Sequence, residues 1–137
     1  MPATLEEDVQ IIYKFKKMTS YEGMHSAGEN MAVIKDIKED EFKGMHVLVV
    51  EDIFDTGNSM IKLLNLLESH KPASVRTFIL LHKLNKAHLK FNYTCDYIGF
   101  LIPDKFVIGF GLDMNEYVRD IPHVCVTSEV GISRYNN

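Results

Sequence analysis

The stretch His-Val-Leu-Val-Val-Glu-Asp-Ile-Phe-Asp-Thr-Gly-Asn-Ser-Met, residues 46–60, decides the fold of this chain. Its apolar run over residues 47–50 predicts a strand that is covered on both faces. The run ends in Glu51 and Asp52, and a short loop that contains a glycine follows. Ligands of open parallel sheets bind where strands end and helices begin, so this stretch predicts a ligand site.

The segment after the loop has apolar residues at helical spacing, namely Met60, Leu63, Leu64 and Leu67. This spacing predicts an amphipathic helix that ends near His70, before Lys71 and Pro72. The sequence Thr-Gly-Asn-Ser at residues 56–59 comes just before it. Free backbone amides, hydroxyl groups and the positive end of a helix dipole are typical of a phosphate site.

Further apolar runs predict the rest of the sheet. Strands are expected over residues 31–34, 74–81, 96–102 and 124–127, with another short apolar run at 106–108. Residues 9–18 suit either a strand or a short helix, 19–30 a mobile loop, and the C-terminus a polar tail. Strand, helix and strand in succession form a βαβ unit, which makes the pair parallel. The sequence therefore predicts one α/β domain over residues 1–137, with a doubly wound, mainly parallel sheet.

Composition excludes several classes of function. A chain of 137 residues suits one domain, and its net charge of −4 disfavours nucleic-acid binding through phosphate neutralisation. It has no apolar run of membrane-spanning length and no signal-peptide pattern. Cys95 and Cys125 are widely spaced, which favours reduced cysteines in a cytoplasmic protein, and the six histidines show no spacing typical of zinc sites.

Three segments carry a resemblance to a known family. The stretch Val-Val-Glu-Asp-Ile-Phe-Asp-Thr-Gly-Asn-Ser resembles the phosphoribosyl pyrophosphate motif of type I phosphoribosyltransferases. Ile-Pro-Asp-Lys-Phe-Val-Ile-Gly at 102–109 and Leu-Asp-Met-Asn-Glu-Tyr-Val-Arg-Asp at 112–120 are similar to the hypoxanthine-guanine phosphoribosyltransferases, as is His-Val-Cys-Val-Thr-Ser-Glu at 123–129. The resemblance covers about residues 15–137.

The resemblance implies purine salvage by a cytoplasmic transferase. The family transfers ribose 5-phosphate from phosphoribosyl pyrophosphate to a 6-oxopurine base, hypoxanthine or guanine, and releases pyrophosphate with the help of Mg²⁺. It also commonly forms oligomers, so a homo-oligomer is expected. Neither nucleic acid nor a membrane is expected as a partner.

The resemblance also assigns the ribose-phosphate half of the site. Glu51 and Asp52 engage the ribose hydroxyls beside magnesium, since adjacent carboxylates attract a hard cation. Asp55 faces N7 of the purine as the candidate general acid or base. The 5′-phosphate is cradled by Thr56, Gly57, Asn58 and Ser59. Ser20 and Tyr21 begin the loop that closes over the site in the family.

The resemblance assigns the base half of the site to residues later in the chain. Lys83, placed just beyond a strand end, donates to the 6-oxo group, and Phe106 stacks on the base while Val107 offers backbone contacts. Asp113 serves a second magnesium and the exocyclic edge, and Arg119 binds pyrophosphate. Without the resemblance, Lys83 would be interpreted as a solvated lysine and Phe106 as a core residue.

The chain departs from the family in several places. Asn58 takes a position that is often basic, the loop over residues 22–27 differs, and nothing in 1–18 matches the family's N-terminal strands or its Lys-Gly loop. The expected fold is therefore an N-terminally shortened one, and a catalytically impaired relative that binds nucleotide or pairs with a full-length enzyme is the alternative. A receiver-like signalling domain is a more distant alternative, because that function would leave residues 56–59 unexplained. Base preference, independent folding and oligomeric state stay open.

Overall fold

The computed structural model describes residues 10–15, 18–20, 32–34, 37–38, 40–85 and 90–135. The chain forms two compact units, Met1–Lys38 and Glu39–Asn137. The first unit contains strands β1 (Met18–Ser20) and β2 (Ala32–Ile34), which pair antiparallel with Thr19 opposite Val33. The strand predicted over 31–34 is thus confirmed.

Residues 10–15 of the first unit have no regular structure, so the strand or helix predicted over residues 9–18 is wrong there. Ile11, Ile12, Tyr13 and Phe15 are all exposed, so their partial alternation buries no apolar surface. A strand is stabilised by its cross-strand neighbours, and among the described residues the pairing with β2 involves Met18, Thr19 and Ser20. Thr19 and Ser20, expected in a loop, accordingly belong to β1.

A three-stranded parallel sheet forms the centre of the second unit. Its strands are β3 (His46–Phe54), β4 (Ser74–Lys83) and β5 (Tyr97–Ile102), in the spatial order β3-β4-β5. Val47 lies opposite Val75, and Leu81 lies opposite Phe100. The parallel βαβ unit predicted from the sequence is confirmed, and β4 runs two residues further than the prediction.

Helix α1 (Asn58–Ser69) connects β3 to β4. Its residues Met60 and Leu67 are buried, as the helical spacing predicts. The helix ends where expected: His70 and Lys71 donate backbone N–H groups to the last turn, Lys71 adopts a left-handed backbone conformation, and Pro72 follows. The core includes Ile79, which is fully buried in β4 and contributes about 1.5–3 kcal/mol by its burial.

Strand β5 differs from the other two strands of this sheet. Tyr97, Ile98, Phe100 and Leu101 are all exposed, although they belong to a regular strand paired with β4. Within the described sheet β5 occupies an edge position. The strand predicted over residues 96–102 is therefore confirmed, but no described element covers these side chains.

The C-terminal part adds two short strands and a helix. β6 (Val107–Ile108) and β7 (Cys125–Val126) pair antiparallel, which confirms the strand expected near 124–127. Helix α2 (Glu129–Tyr135) replaces the predicted polar tail. The Ser128 hydroxyl accepts a hydrogen bond from the Gly131 N–H at 3.2 Å, which satisfies an amide of its first turn. No helix within the described ranges is both long and apolar enough to cross a membrane.

Candidate functional site

An ion pair joins the ends of β3 and β4. Asp55 is the first residue after β3, and Lys83 is the last residue of β4 rather than one beyond it. The Lys83 Nζ donates a hydrogen bond to Asp55 Oδ2 at 2.7 Å. The lysine side chain is only 6% exposed, whereas the carboxylate is 49% exposed. A buried ammonium group is therefore held by a carboxylate that also faces solvent. The two strand ends lie on the same side of the sheet, as the sequence predicts.

Aromatic residues next to this ion pair in the chain stack on one another. Phe54 stacks on His82 with ring centroids 4.8 Å apart and on Tyr93 with centroids 5.4 Å apart. Phe54 directly precedes Asp55, and His82 directly precedes Lys83. Stacked pairs of this kind contribute about 0.5–1.5 kcal/mol beyond area burial. The stack thus fixes the backbone from which both charged side chains extend.

The loop between Asp55 and α1 depends on Gly57. Its φ of 77° lies in the left-handed region, and a Cβ at this position would lie 2.8 Å from the Phe54 ring. Any side chain would therefore collide with the aromatic stack as well as strain the backbone. Gly57 is also the N-cap of α1 and provides no side-chain cap. The amides of the first helical turn have no intrahelical partner and are available to an anion.

The exposed residues Thr56, Asn58 and Ser59 surround this helix N-terminus. Their hydroxyl and amide groups add hydrogen-bonding capacity to the loop. The phosphate-cradling segment predicted from the sequence is thus contiguous with Asp55 and exposed. No structural observation tests its ligand directly, so its role stays a prediction.

Asn85, which sequence reasoning missed, connects Asp55 to a second loop. The side-chain Nδ2 donates to the backbone oxygen of Asp55 at 3.0 Å and to Asp104 Oδ1 at 3.5 Å. No local pattern marks an asparagine two residues after a strand as a contact of two distant loops. Its neighbour Leu84 donates its backbone N–H to the Ile102 oxygen at 2.8 Å, which ties the same segment to the end of β5.

Phe106 and Val107 are held by β7 and by Thr127, the residue that follows it. The Phe106 carbonyl accepts hydrogen bonds from the Thr127 backbone N–H at 3.0 Å and from its hydroxyl at 2.9 Å. Val107 pairs with Val126. The Phe106 ring is 46% exposed, so it is not the core residue that the unaided sequence would favour. A fixed backbone with an exposed aromatic ring suits stacking against a planar ligand.

Asp113 and Arg119 form a separate pair. Arg119 Nη2 lies 2.9 Å from Asp113 Oδ1, and Nη1 donates to the Gly111 carbonyl at 2.8 Å. The backbone N–H of Glu116 donates to Asp113 Oδ2 at 2.7 Å. Val118 in the same loop has a φ of 63°, which is a strained conformation for a β-branched residue. The two predicted site residues are thus brought together by their own loop.

Glu51 and Asp52 lie within β3 and not after it, which corrects the prediction that the strand ends before them. Successive strand residues point to opposite faces, so the two carboxylates diverge. Burial raises the pKa of Glu51, and the neighbouring negative charge of Asp52 raises it further. In the described part of the chain no group of three or more His, Cys, Asp or Glu side chains lies close enough to hold a metal ion. Glu51, Asp52 and Asp113 therefore do not form a metal cluster by themselves.

The two residues predicted to begin the closing loop are placed differently. Ser20 is the last residue of β1. Tyr21 lies outside the described residues, as does the segment up to residue 31. The closing loop therefore stays a prediction.

A family profile described as the phosphoribosyl transferase domain matches residues 5–115. The chain belongs to this phosphoribosyltransferase family. Its sequence is 42% identical to hypoxanthine-guanine phosphoribosyltransferase of Bos taurus and 41% identical to that of Homo sapiens. Each alignment covers 95% of this chain and 58% of the relative. The chain thus spans about three fifths of the length of these curated relatives.

Solved structures agree with the family assignment. A hypoxanthine-guanine-xanthine phosphoribosyltransferase superposes with a TM-score of 0.63 at 39% identity, over 70% of this chain and 57% of that one. The Schistosoma mansoni hypoxanthine-guanine phosphoribosyltransferase, solved in complex with IMP, superposes with a TM-score of 0.59 at 41% identity. This alignment covers 66% of this chain and 45% of that one. The α/β phosphoribosyltransferase fold predicted from the resemblance is confirmed, as is the resemblance itself.

Proposed function

We propose that this phosphoribosyltransferase chain transfers ribose 5-phosphate from phosphoribosyl pyrophosphate to a 6-oxopurine base, with hypoxanthine and guanine as substrates. The products are the nucleoside monophosphate and pyrophosphate. The observation that carries the proposal is the 2.7 Å contact between Asp55 and the buried Lys83, at the carboxyl ends of two parallel strands. The names of the relatives, all of this activity, support it.

The Asp55–Lys83 pair suits one edge of a 6-oxopurine. Such a base carries O6 and N7 side by side on its Hoogsteen edge. The Lys83 ammonium group would donate a hydrogen bond to O6. The amino group that adenine carries at the same position would not accept this hydrogen bond. Asp55 would hold or move the proton at N7 and stabilise positive charge that develops on the base. Phe106 would stack on the ring, and the Val107 backbone would contact the opposite edge.

The loop at residues 55–59 would bind the rest of the nucleotide. Amides of the first turn of α1, with the hydroxyls of Thr56 and Ser59, suit the 5′-phosphate. Since these amides follow Asp55 directly, the phosphate and the base would be held by one continuous segment. Such fixed placement of two reactants is a major source of rate acceleration.

The carboxylates fit magnesium that is shared with the substrate. Magnesium at such sites usually takes one or two carboxylates together with substrate oxygens, so a cluster of three protein ligands is not required. Because the carboxylates of Glu51 and Asp52 point to opposite faces of β3, one of the two would hold the ion at the ribose, and Asp113 would hold a second one. Bound magnesium would neutralise charge on the pyrophosphate. Arg119, now paired with Asp113 at 2.9 Å, would donate to the same leaving group.

The cellular setting is part of the same proposal. Cys95 and Cys125 are both free thiols, which fits a reducing cytoplasm. A net charge of −4 fits a small-molecule enzyme better than a nucleic-acid binder. A homo-oligomer is the expected assembly, because the family commonly forms oligomers.

The test is turnover by purified protein with magnesium, phosphoribosyl pyrophosphate and hypoxanthine, followed by the appearance of IMP. We expect Asp55→Asn to lower kcat by about 100-fold or more, since general acid–base catalysis contributes about 10²–10⁴-fold. Rates are compared per folded molecule, as judged by circular dichroism. Asp40→Asn is the matched control, because Asp40 is an exposed residue that contacts Lys43. Loss of activity in both variants, or in neither, would contradict the assignment of Asp55.

Nucleotide binding without turnover is the second candidate function, that of a catalytically impaired relative that binds nucleotide or pairs with a full-length enzyme. It is favoured by the 2.9 Å ion pair between Arg119 and Asp113, which already occupies the two side chains assigned to pyrophosphate and to its magnesium. Titration calorimetry with IMP separates the two candidates. Binding of IMP without conversion of hypoxanthine would favour the second, and absence of both would overturn the nucleotide site altogether.

A further inference from the structure

We propose that Asn85 is a positioning residue that fixes the distance between the ribose-phosphate half and the base half of the site. This inference rests on the proposed function. Neither the sequence motifs nor the family resemblance singled out Asn85. Its side-chain amide contacts both the loop that starts at Asp55 and the loop that leads to Phe106.

The chemistry of the amide suits this role. An asparagine Nδ2 carries two hydrogens and donates in two directions at once. One hydrogen bond reaches the Asp55 carbonyl at 3.0 Å, and the other reaches Asp104 Oδ1 at 3.5 Å. The Asp55 contact is made to the backbone, so the Asp55 carboxylate stays available to Lys83. Asn85 thereby connects the two loops without occupying the groups assigned to the ligand.

The backbone next to Asn85 is itself fixed. Its own N–H donates to the Lys83 oxygen at 2.9 Å, and Leu84 donates to Ile102 at 2.8 Å. Asp104 lies two residues before Phe106, whose carbonyl is held by Thr127. Hydrogen bonds therefore connect the end of β4 to both loops. Displacement of either loop would change the distance between the base and the sugar.

A positioning residue predicts a particular pattern of kinetics. Each half keeps its own contacts when Asn85 is replaced, so the KM of either substrate should change little. The two reactants would be less well aligned, and kcat should fall, since a misplacement of about 1 Å costs up to about 10²-fold in rate. We expect Asn85→Ala to lower kcat by about 10-fold with each KM within about 3-fold.

A double-mutant cycle of Asn85 and Asp104 tests whether the hydrogen bond between them positions the two loops. Asp104→Ala should lower kcat as Asn85→Ala does, and the double variant should be no worse than either, because both remove one contact. Asp104→Asn is the conservative rescue, since its amide oxygen still accepts from Asn85, and it should retain the wild-type kcat. A raised KM with unchanged kcat, or effects that multiply in the double variant, would overturn the positioning role.

Ligand binding gives a readout that does not need turnover. IMP contains both halves of the nucleotide, whereas ribose 5-phosphate contains only one. Asn85→Ala should weaken IMP binding by about 5- to 10-fold, about 1–1.4 kcal/mol, and leave ribose 5-phosphate binding unchanged. Equal losses for both ligands would overturn the inference alone. Wild-type protein that neither binds IMP nor forms it would overturn the proposed function, and this inference with it.

Discussion

The two ends of strand β4 carry buried polar groups of different character. At the carboxyl end, Lys83 has a partner, Asp55, whose carboxylate is half exposed. At the amino end, Thr77 is 2% exposed, and its hydroxyl donates to Asp96 and accepts from Tyr93 at 2.8 Å. The same strand thus ends in two polar networks, one open to solvent and one closed on itself.

The closed network leaves little capacity for a ligand. The Asp96 carboxylate accepts hydrogen bonds from Arg76 at 2.6 Å and from the Thr77 backbone at 2.9 Å. The Arg76 hydrogen bond is the main reason that the pKa of Asp96 lies below its usual value. The hydroxyl of Thr77 also accepts the Asp96 N–H at 3.2 Å, so its donor and both acceptor positions are used. Such a network stabilises a fold, whereas an open one is suited to binding.

The largest expected effect is on the stability of the open network, and it depends on whether Asp55 or Lys83 is replaced. Asp55→Asn leaves the buried Lys83 ammonium without a negative partner, so we expect the free energy of unfolding to fall by about 3 kcal/mol. Lys83→Met removes the buried charge and leaves a carboxylate that water can solvate, so a change below about 1 kcal/mol is expected. Urea denaturation of both variants measures this asymmetry. Equal losses would show that the lysine is not buried as described.

A smaller effect is expected at the closed end. Thr77→Val keeps the shape of the side chain but removes the hydroxyl that accepts hydrogen bonds from Tyr93 and from the Asp96 backbone N–H, which costs about 1–3 kcal/mol. Because Thr77 lies away from the ion pair, kcat per folded molecule should not change. Arg76→Ala is the comparison variant, since the Arg76 side chain is 64% exposed and its ion pair is worth less than about 1 kcal/mol. A larger loss for Arg76→Ala than for Thr77→Val would contradict this description.

The smallest effect is a pH dependence of the folding stability that the Tyr93 side chain causes. Burial raises the pKa of Tyr93 to about 12, against an ordinary value near 10. The folded protein thus keeps this proton longer than the unfolded chain, so the stabilisation is complete below about pH 10 and is lost between about pH 10 and 12. Tyr93→Phe should be less stable by about 1 kcal/mol at neutral pH, and the difference should shrink above about pH 10. Denaturation curves across this range test it, with the exposed Tyr97→Phe as the control.

The two networks also differ from the rest of the fold in how far the sequence predicts them. The apolar run of β3 and the helical spacing of α1 predict their elements because each pattern is local. Asp55 and Lys83 are predictable as neighbours because parallel strands end at the same edge of a sheet. Asn85 is not predictable, since its partners Asp55 and Asp104 are distant in sequence. Helix α2 is missed because seven residues with an internal glycine carry little periodicity.

The exposed strand β5 has a consequence for handling the protein. Its sequence Tyr-Ile-Gly-Phe-Leu-Ile contains six residues with no charge and no proline, and it lies at an edge of the described sheet. Uncharged segments of high β-propensity and this length stack into cross-β fibres when an edge is accessible. The strand that brings Ile102 beside Lys83 is therefore also a predicted site of pairing between copies of this chain.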